Sequence, residues 1–169
     1  RFGQLLERFG VGRGDVVAIM DWDTHRYLES FFAVPMLGAT LHTVNVRLSP
    51  LQIAYTIDHA EDDVILFHVD FMSLLEEVML KVKRDVRLIV MRDSPDIELP
   101  QTTLKIEATF DELFLNTDQY FSFPDFDENT QATTFYTTGT TGNPKAVAYS
   151  HRQLVLHTMG ILATFGPMS

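Results

Sequence analysis

The chain has 169 residues, 46% of them hydrophobic, with a formal charge of -10 and no cysteine. That length suits one domain with a real core, and no apolar run reaches the length of a membrane span. The charge argues against nucleic acid as a partner, because counterion release needs a cationic face, and the missing cysteines exclude disulfides, thiolate metal sites and a cysteine nucleophile.

The opening RFGQLLERFGVGRGD reads as a helix already under way, with no basic-then-apolar signal segment, so the natural start is expected upstream. DVVAIMD (15–21) is a short β-branched run bounded by Gly14 and Asp23, a buried strand. Thr24 can cap a helix in which Tyr27, Leu28, Phe31 and Phe32 share an apolar face, with Pro35 kinking it and Gly38 ending it. ATLHTVNV (39–46) reads as the next strand. SPLQ (49–52) has Ser at the cap, Pro at the first helical position and Gln three residues on, which opens a helix to about Ala60.

The alternation continues. DVILFHV (63–69) is strand-like, and Asp70 is placed to cap a helix carrying Phe71, Leu74, Leu75, Val78 and Val82. VRLIVM (86–91) is another strand, followed by an irregular link over 92–131 with a short helix at TFDELF (109–114). TTFYT, a Gly- and Thr-rich loop, KAVAYS and a helix opened by Ser150 and Gln153 complete the order. Strands alternating with helices predict an α/β fold with a largely parallel sheet and flanking helices, ending in a strand–loop–strand hairpin and a helix.

The loop, TTGTTGNPK (137–145), is the unusual stretch. Gly139 and Gly142 allow positive φ and a close backbone approach, Thr137, Thr138, Thr140 and Thr141 offer neutral hydroxyl donors, and Lys145 adds a mobile charge. Successive main-chain N–H groups in such a turn can cradle an anion. It is not a Walker A loop, whose Gly-Lys-Ser/Thr opens a helix; Asn143 and Pro144 precede the Lys here and a strand follows. Charge is distributed to match: residues 1–128 carry 23 acids against 11 Lys and Arg, a balance of -12, whereas 129–169 carry only Lys145 and Arg152. A carboxylate-free stretch suits a polyanion, although a buried apolar tail explains it as well. A Gly/Thr-rich hairpin turn without function is the bland alternative for the loop.

YTTGTTGNPKAV (136–147) resembles the signature of the acyl-adenylate-forming enzymes, approximately Tyr-Thr-Ser/Thr-Gly-Thr-Thr-Gly-x-Pro-Lys-Gly-Val. The stretch from GVGRGDVVAIM to DDVILF, notably LHTVNVRLSP, and YSHRQLVLH after the loop resemble fatty acyl-CoA synthetases of the medium- and long-chain branch. The resemblance covers nearly all of the chain and is weakest over 92–128. It implies the first part of the large N-terminal, AMP-binding domain of a fatty acid–CoA ligase, with the rest of that domain and the C-terminal domain absent and the isolated piece inactive. It implies ATP, magnesium and coenzyme A, with the CoA site outside this segment. Thr137, Thr138, Gly139, Thr140, Thr141 and Gly142 would wrap the β- and γ-phosphates, Lys145 would stabilise charge, and Thr137 or Thr138 would assist the metal. None of these is a nucleophile or general base. The alternatives are an adenylating ligase for another carboxylic acid, or a non-catalytic nucleotide-binding or interaction module.

The family pattern has Gly after the motif Lys where this chain has Ala146, a site of strain if φ there is positive. Synthetases of this kind place a subunit contact near His42 to Leu48, which makes a homodimer one expectation, with fatty acid, ATP and CoA as small-molecule partners. Cytoplasmic location, with room for peripheral membrane contact, follows from the absent signal and cysteines. Elsewhere, His42 and Asn45 are expected to bond nearby backbone, Trp22, His25 and Arg26 to serve a helix start, DHAEDD (58–63) to be a solvated helix end, Glu76 and Glu77 to face solvent, and His151 to pack locally in the helix it shares with His157.

Overall fold

The computed structural model describes residues 1–118, 120–138 and 142–166. The short Val-, Ile- and Leu-rich runs form the centre of a seven-stranded sheet: β1 (Val16–Met20), β2 (Thr40–Thr43), β3 (Val64–His68), β4 (Arg87–Met91), β5 (Ile106–Thr109), β6 (Gln131–Thr137) and β7 (Lys145–Ser150), in the order β5-β4-β3-β1-β2-β6-β7. Every pairing is parallel except the closing β6–β7 hairpin. Parallel strands need crossovers, and the helices supply them on both faces.

Alternate side chains of each strand leave for opposite faces. Val17, Ile19, Leu41, Val64, Leu66, Ile89 and Met91 join the core beneath α1 (Phe2–Arg8), α2 (His25–Ala33) and α5 (Phe110–Leu115). Ala18, Met20, Ile65, Phe67, Leu88 and Val90 join the core beneath α3 (Pro50–Ala60) and α4 (Met72–Met79). Both faces are therefore covered, which explains why β1, β3 and β4 read as continuous apolar runs. A fully buried Leu or Phe in such a core contributes roughly 1.5–3 kcal/mol. The last helix, α6 (His151–Phe165), follows β7 and has no buried residue.

The caps behave as their local chemistry dictates. Ser49 and Gln52 form a reciprocal capping box at α3, as do Ser150 and Gln153 at α6, and Thr24 accepts from the Tyr27 N–H. Gly38 closes a 3₁₀ turn (Pro35–Leu37) at φ 76°, a conformation that disfavours any side chain.

Several expectations are corrected. Most of the predicted apolar face of α2 points outward: Leu28 and Phe32 are each 62% exposed and only Tyr27 packs on the core, while Arg26, Ser30 and Ala33 at i, i+4 and i+7 are buried. Arg26 is accommodated because its guanidinium lies 3.9 Å from Asp111 and over the Phe110 ring. Asp70 does not cap α4. It sits in a 3₁₀ turn (Val69–Phe71), its N–H donates to His68 Nδ1, and its carboxylate accepts from Trp22 Nε1 at 2.8 Å. α4 stops at Met79, before Val82, and β2 stops at Thr43. The link contains β5, an edge strand too short and too exposed for its pattern to show. The buried apolar tail offered as an alternative for 129–169 does not hold over α6, which has no buried residue. Among the described residues, no helix is long and apolar enough to cross a membrane.

Candidate functional site

β6 runs parallel to β2, so its carboxyl end lies at the same sheet edge as the carboxyl ends of β1 and β3. The chain leaves β1 toward β2 on one side and leaves β3 toward β4 on the other. Open α/β sheets bind ligands at that edge, where the winding direction switches. The loop predicted to hold phosphate leaves from this edge.

Thr137 stands opposite Lys145 as the last pair of the hairpin, and its hydroxyl donates to the Lys145 carbonyl at 3.5 Å. Thr137, Thr138 and Lys145 are all exposed, and Pro144 is buried. Lys145 has no ion pair among the described residues; Arg152, the other cation beyond residue 128, pairs with Glu128. Gly142 has φ 100° with nothing within 4 Å of where a Cβ would be, so its need for glycine is conformational and not steric. Gly139, Thr140 and Thr141 lie outside the described residues. Ala146 sits in β7 opposite Tyr136, and Glu61 is the one non-glycine at positive φ among the described residues. The strain expected of Ala146 is therefore absent.

Behind the loop lies a polar cluster. Tyr136, 8% exposed, shares a hydrogen bond at 2.8 Å between its hydroxyl and His59 Nδ1. Its ring lies 5.2 Å from that of His42, whose Nδ1 in turn contacts both Asp62 oxygens at 2.8 and 3.0 Å. His42 and Asp62 are both fully buried. Burial pushes the Asp62 carboxyl up, against the pull of the His42 charge, and burial likewise pushes the Tyr136 hydroxyl up. His42 thus bonds a buried carboxylate, not nearby backbone, and DHAEDD is not simply a solvated end: Asp63 also accepts from the Val16 N–H at 2.9 Å. Asn45 does bond locally, accepting from the Arg47 N–H at 3.0 Å.

Beside this cluster a cavity of about 390 Å³ opens between the ends of β1, β2 and β6, with Asp21, Trp22, Tyr27, Asn45, Arg47 and Tyr136 among its walls. One Asp21 oxygen accepts from the Thr24 hydroxyl at 2.5 Å and the other has no partner among the described residues; burial holds its carboxyl above the ordinary value. No group of three or more His, Asp or Glu among the described residues could hold a metal. His25 and His157 are exposed, and His151 packs on Phe126 with its ring centroid at 4.8 Å. Glu76 does not simply face solvent, since it gathers Thr102 and Thr103.

The fold thus brings Thr137 and Lys145 together at one edge. Sequence reasoning missed the His59–Tyr136 and His42–Asp62 pairs. Tyr136 stood inside the motif, but partners 77 and 20 residues apart leave no periodic signal.

The AMP-binding enzyme family matches residues 1–167. A long-chain-fatty-acid–CoA ligase of Thermus thermophilus is 43% identical over 154 residues, 91% of this chain and 26% of that protein. A 3-methylmercaptopropionyl-CoA ligase of Ruegeria pomeroyi is 38% identical over 160 residues, 95% of this chain and 29% of that protein. The crystal structure of an anthranilate CoA ligase in complex with anthranoyl-AMP superposes with a TM-score of 0.80 at 23% identity, covering 95% of this chain and 30% of that one, a likeness of fold. The chain spans less than a third of the length of these relatives.

Proposed function

Because this chain belongs to the AMP-binding enzyme family, we propose that it carries the ATP phosphate-binding loop of an enzyme that joins a fatty acid to coenzyme A. A carboxylate is a poor electrophile, since its charge repels nucleophiles and oxide is a poor leaving group. Attack of its oxygen on the α-phosphorus of ATP forms an acyl-AMP anhydride and releases pyrophosphate. The CoA thiol then attacks the acyl carbon, forming the thioester and releasing AMP. In this reading Thr137 to Gly142 hold the β- and γ-phosphates by hydroxyl and main-chain donors, and Lys145 offsets the charge that builds on the departing pyrophosphate. A magnesium ion would add charge neutralisation across the phosphate oxygens. The exposed hydroxyl of Thr137 or Thr138 would be the residue offered to such an ion.

The observation that supports this reading most is Lys145: an exposed lysine without an ion pair among the described residues, facing Thr137 where the hairpin opens. Titration of MgATP into the whole protein by calorimetry checks it. Binding that weakens about ten-fold or more in Lys145→Ala is expected for a charge-assisted contact. No binding to the unaltered protein, or equal binding by the variant, would sink the reading. In the whole protein, acid-dependent exchange of pyrophosphate into ATP over a ladder of acids identifies the substrate. The similarity to a 3-methylmercaptopropionyl-CoA ligase favours a second reading, a short thioether acid in place of a fatty acid. The non-catalytic alternative loses one support, because Ala146 is unstrained. A subunit contact at 42–48 belongs to the same proposal; His42 and Val44 are buried within the chain, so Asn45 and Arg47 would carry it.

A further inference from the structure

We propose that His59 is a positioning residue for the loop, acting through Tyr136; its consequence for ATP rests on the phosphate-binding reading above. The parallel pairing of β6 with β2 ends at Phe135, opposite Thr43. Tyr136 and Thr137 therefore project past the body of the sheet, held on the backbone by β7 alone, itself the outermost strand. What ties this projecting end to the core is the Tyr136 side chain. Its hydroxyl meets His59 Nδ1 at 2.8 Å, and the two rings pack edge to face at 5.7 Å and 86°.

His59 is itself held. It lies in the last turn of α3, whose Ile53 and Ile57 are fully buried, and its ring packs on Tyr55 at 5.4 Å. A cleft of about 490 Å³ beside it is lined by both His59 and Asn143, so α3 borders the loop on its far side too. A phosphate held at Thr137 and Lys145 feels both ends of the turn, and the His59–Tyr136 bond is the side-chain brace on the β6 end. His59 does not need to touch the ligand. It acts by holding Tyr136, and so Thr137, in one place.

The test uses the whole protein with His59→Ala, His59→Asn, Tyr136→Phe, the Ala–Phe double variant and Lys145→Ala. Asn places a polar atom where Nδ1 was, so it can keep the bond without the ring. Two readouts are needed: amide hydrogen exchange across 131–147, and MgATP affinity. Expected are faster exchange confined to the hairpin, and affinity weakened about three- to ten-fold, in His59→Ala and Tyr136→Phe. The double variant should lose no more than either single one, and His59→Asn should recover most of the loss. Unchanged exchange in His59→Ala, or failure of Asn to recover it, overturns the proposal. Tyr136→Phe, which keeps the ring, decides the matter if His59→Ala does not fold. Faster exchange recovered by Asn, in a chain that binds no ATP, upholds the brace and refutes the phosphate reading. Weaker binding in Lys145→Ala, with His59→Ala unchanged in both readouts, does the reverse.

Discussion

Both oxygens of Asp62 are spent on one imidazole nitrogen, and neither group reaches water. Two groups that are costly to bury make each other tolerable, and removing one leaves the other stranded. His42 Nε2 already lacks a partner among the described residues, so the imidazole has little else to fall back on. Asp62→Ala is therefore expected to cost about 3–5 kcal/mol in urea unfolding, and Asp62→Asn, which keeps an acceptor for the ring, distinctly less. Equal losses in the two variants would mean that packing, not the bond, matters at this position. The pair also explains why the DHAEDD segment misleads: Glu61 is exposed and Asp62 is not, and only the fold tells the two apart.

Elements whose cause is local were legible, and those whose cause is distant were not. The capping boxes at Ser49 and Ser150 each lie within four residues, and the helices they open start where the sequence says. The hairpin was legible too, as two strand-like runs around a turn-rich loop, and with it the positions of Thr137 and Lys145. The inversion of α2 was not, because what makes a buried Arg26 tolerable is Asp111, on an element 85 positions away. Nor was β5, since IEAT pairs on one side only and hides few side chains. Glu76 on α4 shows the same long reach: it accepts from the Thr103 N–H and the Thr102 hydroxyl, both at 2.7 Å, and fastens the link that leads to β5. Those bonds hold its carboxyl below the ordinary value of 4.5. A depressed folded value means that the contribution is present above the unfolded value and is lost as pH falls through the folded one. Thermal melts from neutral pH downward should thus show an acid loss below pH 4.5 that is shallower in Glu76→Gln. Parallel curves would show that the bonds do not outlast solvent competition.

For the molecule as a whole, the charge and the apolar surface pull in opposite directions. A formal -10 on 169 residues keeps copies apart, with all the acids in residues 1–128. Yet Leu28, Phe31 and Phe32 of α2 and Met36 of the turn after it are exposed, and Val155, Leu156, Met159, Leu162 and Phe165 project from α6. Exposed apolar side chains grouped on one element favour association. Salt decides between the two, because it screens repulsion between exposed charges and leaves apolar contact intact or stronger. Sedimentation velocity is therefore expected to show the chain self-associating as sodium chloride is raised to about 0.5 M, where the Debye length falls well below 10 Å. Leu28 and Phe32 are each 62% exposed, so Leu28→Glu with Phe32→Glu should change folding stability by no more than about 1 kcal/mol in total. The same pair should abolish the α2 share of the association, and corresponding changes at Leu156 and Leu162 the α6 share. A chain that stays monomeric at every salt concentration would show that neither face is adhesive. A loss of stability in the α2 variant would show instead that this helix packs more tightly than its exposure indicates.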